Sequence, residues 1–436
     1  MGQYSKQLKN KLNNIISDMA NNPAPFVQNP GKDFIRNRKI TFENLIKILI
    51  SSGGNSLNKE LYDYFKQKNM SVTSSAFVQQ RKKLLPEALA YLLSEFNKAC
   101  DDEKKFLGYR LFAVDGSTVT YNGLETDNTY MPLSGNGVTQ FHINALYDLL
   151  NKTYVDAIVQ PKPVANEPKA AWQMMERLSE NEHCIMIGDR GYGGVNLIEH
   201  INRIDGAEFL IRIKNNLWKE VSELPMTELD TEITLNLRTT QTNADKEAYA
   251  KGEAKWIPGH GKYKNLKKKV WDFESPYSLT VRIVRFKISE DTYETIATSL
   301  PKETFTPSIL KQLYHKRWGI ETSFRELKYA IGMANFHARK PEYVLQEIFA
   351  RLIMYNFCER ITMHVVIVQD KNRKWSYQAN YTMGIHICRD FYRYIGEKPP
   401  DPENNIIHYI LPIRPNRADR RKVTTKPAVY FLYRVA

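Results

Sequence analysis

Residues 109–117 read YRLFAVDGS, a short apolar run that halts at Asp115-Gly116-Ser117, and residues 184–191 repeat the pattern as CIMIGDRG, halting at Asp189. Short apolar runs bounded by turn residues read as buried strands. In an α/β sheet, the strand end is where a side chain projects into a crevice rather than into the core. Asp before Gly also makes an ordinary turn, so neither aspartate is diagnostic by itself. Two rival acids, Asp148 and Asp156, fall inside strand patterns rather than at strand exits.

Outward from these runs, residues 143–149 (INALYDL) and 153–159 (TYVDAIV) are strand-like, and Asn151-Lys152 joins them as a hairpin. Helices are predicted from Glu167 to Leu178 and from Val195 to Ile204, and a fifth strand over Glu208 to Ile213. The order is strand, strand, strand, helix, strand, helix, strand, which belongs to the α/β class. Residues 214–304 interrupt it with alternating stretches at Glu232–Leu237, Leu279–Ile288 and Tyr293–Thr298, read as a β-rich insertion. A loop there carries Lys262, Lys264, Lys267, Lys268 and Lys269 beside Trp256, Tyr263 and Trp271. It suits a solvated turn, or phosphate tracking with base stacking.

Thr306-Pro307 starts a helix predicted to run to Gly332. Along it, Tyr314, Arg317, Glu321 and Lys328 are spaced by 3, 4 and 7 residues. At about 100° per residue they fall within roughly 60° of one another. Leu313, Ile320, Phe324, Leu327 and Ile331 form an apolar stripe beside them, with Lys316, Ser323 and Glu326 expected on the far side. Arg317 and Glu321 also fit an i, i+4 ion pair, whereas Lys328 does not.

Asp115, Asp189 and Glu321 are the candidate catalytic and metal-holding residues. Three carboxylates can hold two divalent ions about 4 Å apart, one activating the attacking oxygen and one stabilising the leaving oxygen. Mg²⁺, with Mn²⁺ as a substitute, takes such hard oxygen ligands. Arg317 and Lys328 can neutralise phosphate oxygens, and Tyr314 can donate to one, so these three are the candidate DNA contacts. Walker A, Gly-x-Ser-x-Gly and HExxH sequences are absent, and the nine histidines show no metal spacing.

The chain has 436 residues, with 62 Lys+Arg against 48 Asp+Glu and a net charge of +14. The excess favours a polyanionic partner, nucleic acid before membrane. With 42% hydrophobic and 25% charged residues it is globular, not disordered. Cys100, Cys184, Cys358 and Cys388 are far apart and suit free thiols in a cytoplasmic protein. The polar N-terminus does not resemble a signal peptide, and the longest apolar stretches are too short to span a bilayer. Residues 1–100 read as helical, and a segment starting near Thr73 carries Gln79, Gln80, Arg81, Lys82 and Lys83. That suits a DNA-reading module, or a bundle with a solvated face. A long helix is predicted over about 342–366. The tail reads as loop-rich, with Arg414, Arg417, Arg420, Arg421, Lys422 and Lys426 between prolines.

With these motifs in place, the chain resembles bacterial insertion-sequence transposases of the DDE class, in the group with a Tyr-x2-Arg-x3-Glu-x6-Lys signature. Tyr314 to Lys328 matches that signature, Ala113-Val-Asp115-Gly-Ser is similar to the first-aspartate motif, and Gly188-Asp189-Arg-Gly-Tyr to the second. The resemblance covers roughly residues 106–340. It implies an RNase H-like core over 106–213 and 305–340, a β-rich insertion at 214–304, a helical N-terminal DNA-binding domain at 1–100 and a helical, basic region at 341–436. It also implies metal-dependent excision and integration of a mobile element, with a homodimer acting on DNA. Relatives stack an aromatic on a displaced base, for which Trp256, Trp271 and Trp318 are candidates. Two alternatives are an RNase H-fold nuclease without strand transfer and a catalytically silent DNA-binding descendant.

Overall fold

The computed structural model describes residues 2–36, 38–100, 104–132, 137–178, 182–257, 271–290, 292–369, 374–396 and 398–414. The Lys262–Lys269 loop and the tail residues Arg417, Arg420, Arg421, Lys422 and Lys426 lie outside these. Five helices come first: α1 (Gln3–Asn21), α2 (Phe42–Ser51), α3 (Leu57–Phe65), α4 (Ser74–Arg81) and α5 (Glu87–Lys98). Then follow β1 (Arg110–Tyr121), β2 (Tyr130–Met131), β3 (Val138–Asp148), β4 (Thr153–Pro161), α6 (Glu167–Glu176), β5 (Cys184–Gly188), α7 (Val195–Asn202) and β6 (Ala207–Ile213). Residues 214–304 hold α8 (Lys219–Ser222), β7 (Leu229–Arg238), α9 (Asn243–Lys251), β8 (Lys255–Trp256), β9 (Tyr277–Ser289) and β10 (Thr292–Thr298). Next come α10 (Pro307–Lys316), α11 (Trp318–Tyr329), α12 (Pro341–Met363), β11 (Tyr377–Ala379), α13 (Tyr381–Arg393), α14 (Pro402–Ile407) and β12 (Ile410–Pro412).

The chain divides into two compact units. One comprises 1–101, 119–140 and 324–436, and the other 102–118 and 141–323. Residues 1–100 and 341–436 fall in the first unit, and 214–304 in the second.

In the second unit the sheet order is β4-β3-β1-β5-β6-β10-β9-β7-β8. β1, β5 and β6 are parallel, with Arg110 opposite Cys184 through to Ala113 opposite Ile187. β10 returns antiparallel to β6, and β9 and β7 continue the antiparallel run. The β-rich stretch therefore extends the main sheet instead of forming a body of its own. Alternation along the strands feeds two cores. Phe112, Val114, Met186, Phe209 and Ile211 join residues of α6 and α7 on one face. Leu111, Ile185, Ile187, Leu210 and Ile296 join Leu310, Leu313 and Tyr314 of α10 on the other.

The first unit is built around α12, which is buried on nearly every side, as a helix without a single apolar stripe must be. Several of its buried polar residues join a network with Arg81. Glu347 accepts from Arg81 at 2.8 Å and pairs with Arg351 at 3.1 Å, and Gln346 accepts from Arg81 at 2.8 Å. Gln80 and Arg81, expected on a DNA-facing helix, are buried, while Gln79 and Lys82 are exposed. The tail expected to be loop-rich contains α13, started by Asn380, whose side chain caps the Met383 N–H. All four cysteines are buried, free thiols. Among the described residues no helix is long and apolar enough to cross a membrane.

Candidate active site

β1 does not stop at Asp115, as the turn residues suggested. It runs on to Tyr121, because β3 lies along its other side. What ends at Ala113 is its pairing with β5. The same parallel offset, continued by two residues, sets Asp115 beside Asp189. Both aspartates are also in phase with residues of a single core face, Asp115 with Leu111 and Asp189 with Ile185 and Ile187. That is the face covered by α10. Register and alternation thus bring two acids, 74 residues apart in sequence, to one place beneath the helix that leads to Glu321.

The electrostatics agree. The Asp115 carboxyl is pushed up to about 6, by burial first and by the charges of Asp189 and Glu321, against the Gly116 N–H and Arg317, which pull it down. Asp115 Oδ1 accepts from Gly116 N at 2.8 Å, and Asp189 Oδ1 from Gly191 N at 2.7 Å. These local bonds hold each carboxylate just past the point where the β1–β5 pairing ends.

The predicted single helix is interrupted at one residue. Arg317 separates α10 from α11, and its N–H turns back to Tyr314 O at 3.0 Å. The line of four polar residues also differs in exposure from the expected crevice edge. Tyr314 and Arg317 are 5% and 6% exposed, Tyr314 inside the core under α10, whereas the Glu321 side chain is 37% exposed. Arg317 Nη2 donates to Glu321 Oε1 at 2.7 Å, and Arg317 Nε has no hydrogen-bond partner among the described residues. The ion-pair reading of Arg317 and Glu321 is therefore realised, with one guanidinium donor still unused. Lys328, on α11 in the first unit, is half-buried, and burial lowers its ammonium. Ser323, expected on the solvated side, is buried and bonds Tyr154 Oη at 2.8 Å. Asp148 is wholly buried and paired with Arg110 at 2.8 Å, and Asp156 pairs with Arg177 at 3.3 Å, so both rivals are structural.

Among the described residues, no three carboxylate, histidine or cysteine side chains stand in an arrangement that could hold one ion. Glu321 is engaged by Arg317. The donor set is nonetheless of hard oxygens, and a buried acid pushed up by two like charges has the environment that a cation relieves.

Sequence reading missed two neighbours. A cavity of about 270 Å³ beyond β5 and β6 is lined by Arg190, Arg212 and Lys214, with Arg212 paired to Glu294 at 2.9 Å. Their signal was their position directly after, or late in, strands that end at the site. His142 is 3% exposed and stands 2.9 Å from Glu167 and 3.2 Å from both Thr118 and Lys162. Of the three tryptophans, Trp271 is buried with its indole N–H on Glu274 O. Trp256 is half-buried. Trp318 is 55% exposed, with Arg317 5.3 Å from its ring.

A mixed sheet whose central parallel strands present acids toward a following helix is an RNase H-like catalytic core. The chain belongs to the DDE transposases: the family described as the transposase DDE domain matches residues 107–357, more than half its length. Its activity is DNA cleavage at mobile-element ends and strand transfer. No curated protein matches the chain. It is similar to the cryo-EM structure of the piggyBac transposase synaptic complex with hairpin DNA, at 10% identity and a TM-score of 0.43, over 94% of this chain and 84% of that one.

Proposed function

We propose that this transposase performs cut-and-paste transposition with Asp115, Asp189 and Glu321 as its catalytic carboxylates, and that they hold two Mg²⁺ ions, for which Mn²⁺ can substitute. The observation that supports this most directly is the β1–β5 register, which sets Asp115 beside Asp189 on the face that α10 covers. When bound, the ions activate the attacking oxygen, of water or of a 3′-hydroxyl, and stabilise the leaving one. Asp115 and Asp189 would hold them from the sheet. Glu321 would join from α11 by letting go of Arg317, which frees a second guanidinium donor beside the unused Nε for the oxygens of a phosphate. Tyr314 positions Arg317 from below. Lys328 supplies a point charge to the DNA backbone, and Trp318, 55% exposed, is the tryptophan that stacks on a displaced base, a reading its exposure supports.

Bringing two element ends together calls for two copies, so the working form is a homodimer on DNA in the bacterial cytoplasm, at the nucleoid. Residues 1–100 contribute to end binding through exposed positions such as Gln79 and Lys82, since Gln80 and Arg81 are buried.

The test is a cleavage and strand-transfer assay on labelled element-end DNA with Mg²⁺, comparing wild type with Glu321→Ala. Metal-dependent joined products that vanish in the variant support the assignment. Cleavage without joining favours a nuclease, and binding without any product favours a silent descendant.

A further inference from the structure

Away from the acids, the first unit contains a cavity of about 510 Å³, walled by α1, α2, the end of α3 and the residues that close α13. Five cations line it: Lys6, Lys9, Lys47, Lys68 and Arg393. No described lining residue is a carboxylate. The acids nearby are already engaged. Glu43 accepts from Lys47 at 2.9 Å, while Glu60 and Asp63 face Arg393 at 2.6 and 3.7 Å. Among the described residues, that leaves Lys6 and Lys9 without a carboxylate in ion-pair contact, and Lys68 with only the longer-range attraction of Glu43, which Lys47 already engages. Lys9 spends two of its three N–H donors on the carbonyls of Phe391 and Tyr394, at 2.8 and 2.7 Å, and Lys68 donates to Asn44 Oδ1 at 2.7 Å. Neither bond neutralises charge. Burial, and after it the nearby Lys47, lower the Lys9 ammonium to about 8, the response of a site short of negative charge.

We infer that this cavity is a phosphate-binding site that seats a stretch of DNA sugar-phosphate backbone, held by residues from distant parts of the chain. Compact ammonium groups with amide side chains between them suit phosphodiester oxygens, and they read charge rather than sequence. The site is assembled from positions as far apart as Lys6 and Arg393. The assignment of DNA as the source of the phosphate rests on the transposase reading.

The experiment titrates full-length protein into a labelled duplex of arbitrary sequence at several salt concentrations, for wild type, Lys6→Gln and the Lys6→Gln/Lys68→Gln double variant. Lys6 is exposed, so its single variant keeps the test valid if the double variant folds poorly. Each lost phosphate contact should lower the slope of log affinity against log salt by about one, hence about two in the double variant. The same proteins are assayed for Mg²⁺-dependent cutting and for thermal stabilisation by inorganic pyrophosphate. Identical slopes and affinities, with wild type still cutting DNA, would overturn the site and leave the transposase reading intact. Shallower slopes in the variants, with a wild type that cuts nothing, would uphold the site and remove the enzymatic reading. Stabilisation of wild type alone by pyrophosphate, with unchanged DNA slopes, would make it a site for free phosphates and overturn the DNA assignment.

Discussion

Asp115, Asp189 and Glu321 are each ordinary in sequence, and their chemistry comes from what surrounds them. Replacing any one by its amide should cut strand cleavage by about a thousandfold or more while leaving DNA binding within a few-fold, which gel shift and cleavage assays on one preparation will separate. Arg317→Lys keeps the charge but loses the planar fork that holds Glu321 and that we propose turns to a phosphate once Glu321 lets go, so cleavage should fall about ten- to a hundredfold. The comparison at saturating DNA tells loss of turnover from loss of affinity. Gly116 is a different case. A Cβ there would lie 2.3 Å from His142 Nε2 and 3.1 Å from Glu167 Oε1. Gly116→Ala should therefore displace His142 and lower cleavage by about tenfold in a protein that still folds, as circular dichroism would show.

At the scale of elements, strand and helix types were legible from short windows, and their ends were not. The run to Val114 was visible, but β1 continues to Tyr121 because a neighbouring strand keeps it extended, a partner no window contains. The helix from Pro307 was legible from its cap and apolar stripe, whereas the break at Arg317 was not. α13 had a usable signal in Asn380 as a cap and in Ile385, Cys388 and Tyr392, all buried, but prolines and arginines nearby gave the region the look of a loop. Gly332 was read correctly as a stop. It has φ +93°, and a Cβ there would stand 3.0 Å from Gly54 N. Gly332→Ala should destabilise the protein by about 1–3 kcal/mol, measurable by urea unfolding.

For the molecule as a whole, the buried Arg81–Glu347–Arg351 network ties the N-terminal helices to α12. Burial pushes the Glu347 carboxyl up, but Arg81, Arg351 and the His337 hydrogen bond together hold it well below its ordinary value of 4.5. A depressed carboxylate stabilises the fold above its unfolded value and loses that contribution as the pH falls below it. Stability should thus drop on acidification below about pH 4.5, and drop less steeply in Glu347→Gln. That variant should already be about 3–5 kcal/mol weaker at pH 7, since it strands two buried guanidinium groups; urea titrations at several pH values will show both effects. The order of strands and helices from β1 to β6, and the helical stretch that carries Tyr314, Arg317, Glu321 and Lys328, were legible in the sequence alone, since alternation, helical period and capping act between near neighbours. Only the tertiary structure decided that residues 214–304 fold back onto β6, that Glu321 is held by Arg317, that Arg81 is interior, and that both ends of the chain enclose one basic cavity. Those outcomes depend on pairings between residues tens to hundreds of positions apart, and the energy of such a contact exists only once packing has brought both partners together.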